Sequence, residues 1–400
     1  MGTVKKEQIK EIYIFRAIAI LAVIMIHATS ESIGKINKES LYYPLYNGLN
    51  MFSSFAVPTF IFLSGLVMFY TYYDRVLTRT ELLDFYKKRL LYIVIPYIVI
   101  STFYFAMKLT INTQLSLGEG LKQYAIQLLT GGAYTHLYFM FLIIQFYLLF
   151  PLLLSLSKVR GVAPYLFLIG AALQWGYIFL NSEVIQYMDD LPNILHKRAS
   201  LFPTYLAYYL LGATLGIYYL QFKKWFVVSP SSLISVKSLV TYVFYALWLT
   251  SGLYYAYIYY MGRVHNEWSH SKVYDLLLFI FSILSSIVLL HLSYWIMAKG
   301  GRKIVHLLMH LGIASFGVYF LHPAVLWFYR KAVVNLSLKH PFYYGGAFAI
   351  ALIVSWLATA LLMKFPRWSW IIIGLVPTVP TVPTKDNRKN GASLIRTRTL

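Results

Sequence analysis

The 400-residue chain is 59% hydrophobic and 12% charged, with a formal net charge of +21 and no cysteine. Soluble domains carry about 25% charged residues, so half that fraction with 18% aromatics excludes a string of ordinary globular domains. The missing cysteines exclude disulfides, thiolate metal sites, iron–sulfur clusters and a cysteine acyl-enzyme. Lysines and arginines are separated by long apolar runs instead of forming one basic face, which argues against nucleic-acid binding.

A membrane-spanning helix needs about 20 apolar residues. Ten such runs occur, at 12–29, 51–73, 90–109, 136–156, 162–180, 203–221, 239–261, 273–296, 312–331 and 342–363. The first follows Lys5, Lys6 and Lys10, lacks a small-residue cleavage site and contains Arg16, so it reads as a retained helix and not a signal peptide. With both termini cytoplasmic, 23 Lys/Arg lie inside, 11 outside, and Arg16 within a span. This asymmetry orients the chain by the positive-inside rule. The expected fold is therefore an all-α polytopic transmembrane bundle of about ten spans, N-in and C-in. Residues 1–11 form a cytoplasmic lead, 12–365 the membrane domain, and 366–400 a short Trp-rich segment and a tail. The tail repeats Pro-Thr-Val and turns basic, which favours extended, disordered chain beside anionic lipid.

Ionisable residues at bilayer depth are costly and are functional candidates by default. In the first span, Arg16 and His27 are eleven residues apart, three helical turns within about 20°, so they share one stripe separated by about 16 Å. Two readings of Arg16 stand: snorkelling to the interface, or ligand binding. Glu31, one turn beyond His27, could orient the imidazole if the helix continues that far. The second span carries Pro58, which could free a backbone carbonyl, and Ser64-Gly65, which suits close helix approach. Lys87-Lys88-Arg89 stands before a third span that contains Pro96, either as topogenic charge or as a phosphate-binding patch. The fourth span opens with His136, a weak signal alone. In the ninth, Ser315, Tyr319 and His322 recur at i, i+4 and i+7 on one face and need polar partners inside the bundle. That span runs outward, as the first does, so His322 can share a level with His27. His306 and His310 have a metal-pair spacing but no carboxylate or cysteine companion, so no metal site is assigned.

Taken in order, Arg16…His27, Phe60-Ile61-Phe62-Leu63-Ser64-Gly65, the basic cluster before the third span, and the stretch from Ser315 to His322-Pro323 resemble the acyltransferase-3 family of integral membrane O-acyltransferases. The resemblance extends over nearly residues 10 to 365. It implies an enzyme of the bacterial cytoplasmic membrane, of the kind that modifies surface polysaccharides. Such an enzyme moves an acyl group, commonly acetyl, from cytoplasmic acyl-CoA to a hydroxyl of an extracytoplasmic glycan or lipid-linked acceptor. It also implies essential roles for Arg16 and His27. The family's acidic residue beyond that histidine has no secure counterpart here, since Ser32 stands five residues on with Glu31 adjacent.

On this reading Arg16, Lys87, Lys88 and Arg89 hold the CoA phosphates, and acyl-CoA is the donor, with no tightly bound cofactor. His27, oriented by Glu31 or another acid, is the general base, and Ser315, Tyr319 or His322 stabilises the oxyanion. Direct transfer and a covalent acyl-enzyme both remain open. The competing readings are a transporter or flippase for a glycan or acyl-linked substrate, and a non-catalytic scaffold.

Overall fold

The computed structural model describes residues 6–109, 116–226, 235–336 and 340–375, and these contain helices and no strand. The Pro-Thr repeat and basic tail lie outside the described residues. Among the described residues, nine helices or continuous helical stretches are long and apolar enough to cross a bilayer. They expose rows of leucine and phenylalanine, among them Leu148, Leu152, Leu253, Phe328 and Leu357. Apolar exposure on this scale suits a lipid boundary.

Helix α1 (Glu11–Lys35) outlasts the predicted first span by six residues. Thr29 and Ser30 do not stop it, because their hydroxyls donate back to the carbonyls of Met25 (2.6 Å) and Ile26 (2.5 Å). The predicted second span, 51–73, falls on α3 (Ala56–Tyr72), which a second, unanticipated helix, α2 (Tyr42–Phe52), precedes across a break at Ser53–Phe55. Pro58 thus sits in the first turn of α3, where no intrahelical N–H is required, and does not kink a continuous span. Asn50 of α2 donates to the Ile26 carbonyl (3.0 Å) and to the Thr29 hydroxyl (2.9 Å), tying the break to α1.

The next crossing begins with α4 (Arg79–Arg89), started by a Thr78–Glu81 capping box, and passes through a π-helical turn, Leu90–Val94, into α5 (Ile95–Leu109). The wide turn directly precedes Pro96, whose missing N–H an α-helical ladder would have had to absorb. Helix α6 (Leu117–Thr130), with its own Ser116–Glu119 capping box, exposes Leu121, Ile126 and Leu129 and was not anticipated from the sequence. Its capping hydrogen bonds hold the Glu119 carboxyl below the usual range. Then follow α7 (Tyr138–Ser157), α8 (Leu166–Glu183) and the single turn α9 (Asn193–His196).

The sixth predicted span is α10 (Leu206–Ile217) and α11 (Tyr219–Phe226), interrupted at Tyr218. It is absent from the nine long helices because 3-10 turns, Arg198–Ser200 and Phe202–Tyr205, precede it and the break at Tyr218 limits α10 to 12 residues. Gln145, seven residues into α7, holds these turns by donating to the Ser200 carbonyl (2.8 Å) and accepting from the Phe202 N–H (3.1 Å). Backbone that leaves the α-helical ladder, as between these two short 3-10 turns, needs this kind of internal partner. The direction of α10 follows from its contacts with α3. A Cβ on Gly212 would strike the Phe62 carbonyl, and one on Gly216 the Leu66 carbonyl, while Tyr219 meets Tyr70 at 4.8 Å between ring centroids. Numbers rise together, so α3 and α10 are parallel. Both cross inward, in keeping with ten passages. The Gly212-x-x-x-Gly216 spacing and Gly65, which abuts the Tyr209 carbonyl, allow backbone-to-backbone contact.

The chain closes with α12 (Val236–His265), α13 (Ser271–Lys299), α14 (Arg302–Val333), α15 (His340–Met363) and α16 (Pro366–Ile373). Helices α1 and α14 are parallel by the same test. Gly312 lies against the Tyr13 carbonyl at the inner end, and Arg330 pairs with Glu31 at the outer end. Both intervals are eighteen residues, about 27 Å of helix. Two helices held at both ends over that length fix the height of everything between them.

Candidate active site

Between those two pins, His27 of α1 faces His322 of α14 with ring centroids 5.2 Å apart. His136, in the turn before α7, completes a triangle at 6.5 Å from His27 and 5.7 Å from His322. His136 and His322 are buried, whereas His27 is half-buried. Of the three residues, His27 is thus the least buried.

The His322 ring is oriented by its own helix, since Nδ1 lies 3.0 Å from the Val318 carbonyl. A carbonyl accepts only from an N–H, so the neutral ring carries its proton on Nδ1 and presents Nε2 as a lone pair. That Nε2 has no protein partner, and neither nitrogen of His136 has one. Unpartnered buried polar atoms call for an explanation, and three of them fall on these two adjacent imidazoles.

The aromatic surroundings lock the triangle. Tyr319 donates its hydroxyl to the His136 carbonyl and stacks edge-on against the His136 ring at 5.0 Å. Tyr104 of α5 and Tyr134 stack on one another at 4.4 Å and both meet His136 edgewise. The Tyr104 hydroxyl also enters the backbone of α14. It accepts from the Ala324 N–H (3.1 Å) and donates to the Phe320 carbonyl (2.8 Å), groups that one rung of the helix ladder would otherwise join. Pro323 lies between them, so the side chain fills a proline-opened gap.

Glu31 does not orient the His27 imidazole. It lies on the helix, as its proposed role requires, but its carboxylate pairs with Lys35 and Arg330, each at 2.5 Å. Arg330 in turn donates from Nη2 to the His27 backbone carbonyl at 2.9 Å. The acid thus acts on the backbone of His27 through an arginine from the far end of the sequence. Its partner was invisible in the sequence because Arg330 stands 303 positions from His27.

Toward the cytoplasm, a cavity of about 310 Å³ is lined by Arg16, Ser64, Lys88, Arg89, Ser315 and Tyr319, together with apolar side chains of α1, α3, α7 and α14. Its charged lining is wholly basic. Arg16 has no carboxylate within ion-pair distance among the described residues. Arg89 is held between the rings of Phe85 and Tyr147, at 4.8 Å from each, with Nη2 3.2 Å from the Met68 sulfur. Lys87, expected beside them, is exposed and outside the lining, because the helical step from Arg89 carries it to another face. Tyr319 belongs to both the cavity and the histidine cluster.

Of the hydroxyls on the wall, Ser315 donates to the Gly312 carbonyl (2.8 Å), whereas Ser64 has no partner. Ser64 and His136 were not singled out from the sequence as site residues. The serine reads as a packing residue beside Gly65, and the histidine sits in a turn with no helical period to place it. His310 accepts from Trp356 Nε1 at 2.9 Å.

A polytopic helical bundle enclosing a basic-lined cavity that shares Tyr319 with a histidine cluster is a membrane protein with a polar interior. The chain belongs to the acyltransferase-3 family: that family's model, an acyltransferase domain, matches residues 9–360. No curated protein and no solved structure was matched.

Proposed function

We propose that the protein transfers a short acyl group, acetyl in the first instance, from cytoplasmic acyl-CoA to a hydroxyl of an extracytoplasmic glycan or lipid-linked acceptor, as an enzyme of the bacterial cell membrane. The observation that carries this reading is Tyr319, which faces the basic-mouthed cavity on one side and the His27–His136–His322 cluster on the other. Small-molecule pockets run from about 300 Å³ upward, so a cavity of about 310 Å³ suits a pantetheine arm with a small acyl group. The nucleotide would stay at the mouth, where Arg16, Lys88 and Arg89 meet its phosphates.

His27, the least buried of the three histidines, takes the proton of the acceptor hydroxyl as that oxygen attacks the thioester carbonyl. The carbon–sulfur bond then breaks, the acyl group leaves on the acceptor, and the proton passes to the thiolate to give CoA. His322 Nε2 is an acceptor in the neutral ring, which suits it to share the proton and not to donate to an oxyanion. The oxyanion is served by Tyr319, if its hydroxyl swings off the His136 carbonyl, or by the unpartnered Ser64 hydroxyl.

Reconstituted full-length protein with radiolabelled acetyl-CoA outside and a polysaccharide or lipid-linked glycan acceptor within the vesicle tests this. The expected result is acceptor-dependent release of free CoA with label on the acceptor as a base-labile ester. Movement of cargo without thioester consumption would overturn the proposal in favour of transport.

A further inference from the structure

The wall of the donor cavity includes Ile373 and Leu375, which lie past residue 360, where the family match ends. After α15 the chain turns at Lys364-Phe365, and α16 runs back into the bundle. The return is shown by Gly317 of α14, where a Cβ would meet both Thr359 of α15 and Ile373 at under 3 Å. Ile373 is 3% exposed and Leu375 64%, so one residue sits within the wall and the other at its rim. Gly374 joins them at φ +66°, ψ −164°, a conformation essentially confined to glycine. A Cβ there would also lie 2.6 Å from the Tyr92 carbonyl oxygen and 2.9 Å from the Phe316 ring. Trp370 meets Tyr92 edgewise at 6.1 Å. Tyr92 belongs to the π-helical turn that follows Lys88 and Arg89 directly, and such turns favour functional sites. The strap therefore seats against the same turn that carries the basic mouth.

We propose that Pro366–Leu375 is a donor-specificity strap whose Ile373 and Leu375 side chains contact the pantetheine arm of the acyl-CoA. The cations beside it take the phosphates; the strap adds apolar contact to a slender, largely uncharged arm. This rests on the donor assignment above. Gly374 sets the position of both side chains, and its backbone leaves no room for displacement toward Tyr92.

The test measures kcat and KM for acetyl-CoA and for acetyl-pantetheine, which lacks the nucleotide, on full-length wild type, the double variant Ile373→Ala/Leu375→Ala, and Gly374→Ala. The double variant should raise KM about tenfold, equivalent to about 1.4 kcal/mol, for both donors, with kcat kept within about twofold. Gly374→Ala should do the same. Arg89→Gln, in contrast, should raise KM for acetyl-CoA alone. Thermal midpoints and elution volumes in detergent identify any variant that misfolds; should the double variant misfold, Leu375→Ser, at the exposed rim, carries the same expectation. An unchanged KM in a folded strap variant, or a fall in kcat alone, overturns the proposal. Absence of CoA release by wild type would overturn the donor assignment itself, a failure the strap variants do not produce.

Discussion

Replacing Arg330 with methionine keeps the stem and removes the guanidinium that joins α14 to α1. The lost groups are a charged hydrogen bond to the His27 carbonyl at 2.9 Å and the ion pair with Glu31 at 2.5 Å. A hydrogen bond to a charged group contributes about 1.5–3 kcal/mol. Glu31, only 17% exposed, is left with Lys35, whose ammonium is 68% exposed and contributes under about 1 kcal/mol. The pair is only partly buried, with Arg330 29% exposed, so the expected destabilisation is that of the charged hydrogen bond, about 1.5–3 kcal/mol. The functional effect follows from geometry: with its outer pin gone, α1 can shift along α14, and an ångström-scale misplacement of reacting groups costs about 100-fold in rate. CoA release in proteoliposomes and the thermal midpoint in detergent would be followed across wild type, Arg330→Met, Glu31→Gln and the double variant. A coupling energy of about 1–3 kcal/mol is expected, with a reduced kcat. Full additivity together with a wild-type kcat would refute the idea that this pair sets the height of His27 against His322.

Three further outcomes follow from the site. His27→Ala should abolish acyl transfer while membrane abundance stays normal on immunoblot, and retained transfer would remove His27 from the base role. Arg16→Ala should chiefly raise KM for acyl-CoA, by about tenfold for one lost charged contact, read from initial rates at varied donor concentration. Tyr104→Phe takes away the hydroxyl that serves Ala324 N–H and Phe320 C=O, and should lower stability by about 1–3 kcal/mol in a thermal melt, while Tyr134→Phe, with only ring contacts to the cluster, should be near neutral.

Helical arithmetic along single spans made much of this arrangement legible. Arg16 and His27 share a stripe because eleven residues nearly complete three turns, and Ser315, Tyr319 and His322 share one because four and seven do. The facing of His27 and His322 could be anticipated only as a shared level; its distance depends on the contact of Gly312 with Tyr13 and on Arg330, which are tertiary. Glu31 shows how local spacing misleads, since a carboxylate one turn from a histidine was drawn instead to two cations. His136 reads only as a weak signal because it stands alone at the start of its span, and Ser64 only as a packing residue because a small residue beside glycine has a sufficient packing explanation. The sixth span was placed correctly in sequence but drawn as one continuous helix, because Gln145's hold on residues 200 and 202 is invisible to a hydropathy window. The bend that returns Ile373 to the cavity was hidden likewise: eight residues are too few to span, and nothing local says that they fold inward.

The passage from α4 through the π turn to α5 has a mechanical meaning. It is one nearly unbroken rod with Arg89 lining the basic cavity and, fifteen residues or about 22 Å further on, Tyr104, whose hydroxyl is spliced into α14 between residues 320 and 324. Those two positions flank His322 at two residues on either side. A displacement of the rod by a ligand at its cytoplasmic end would tug on the backbone that aims His322, so occupancy on one face of the membrane can be felt as imidazole geometry near the other.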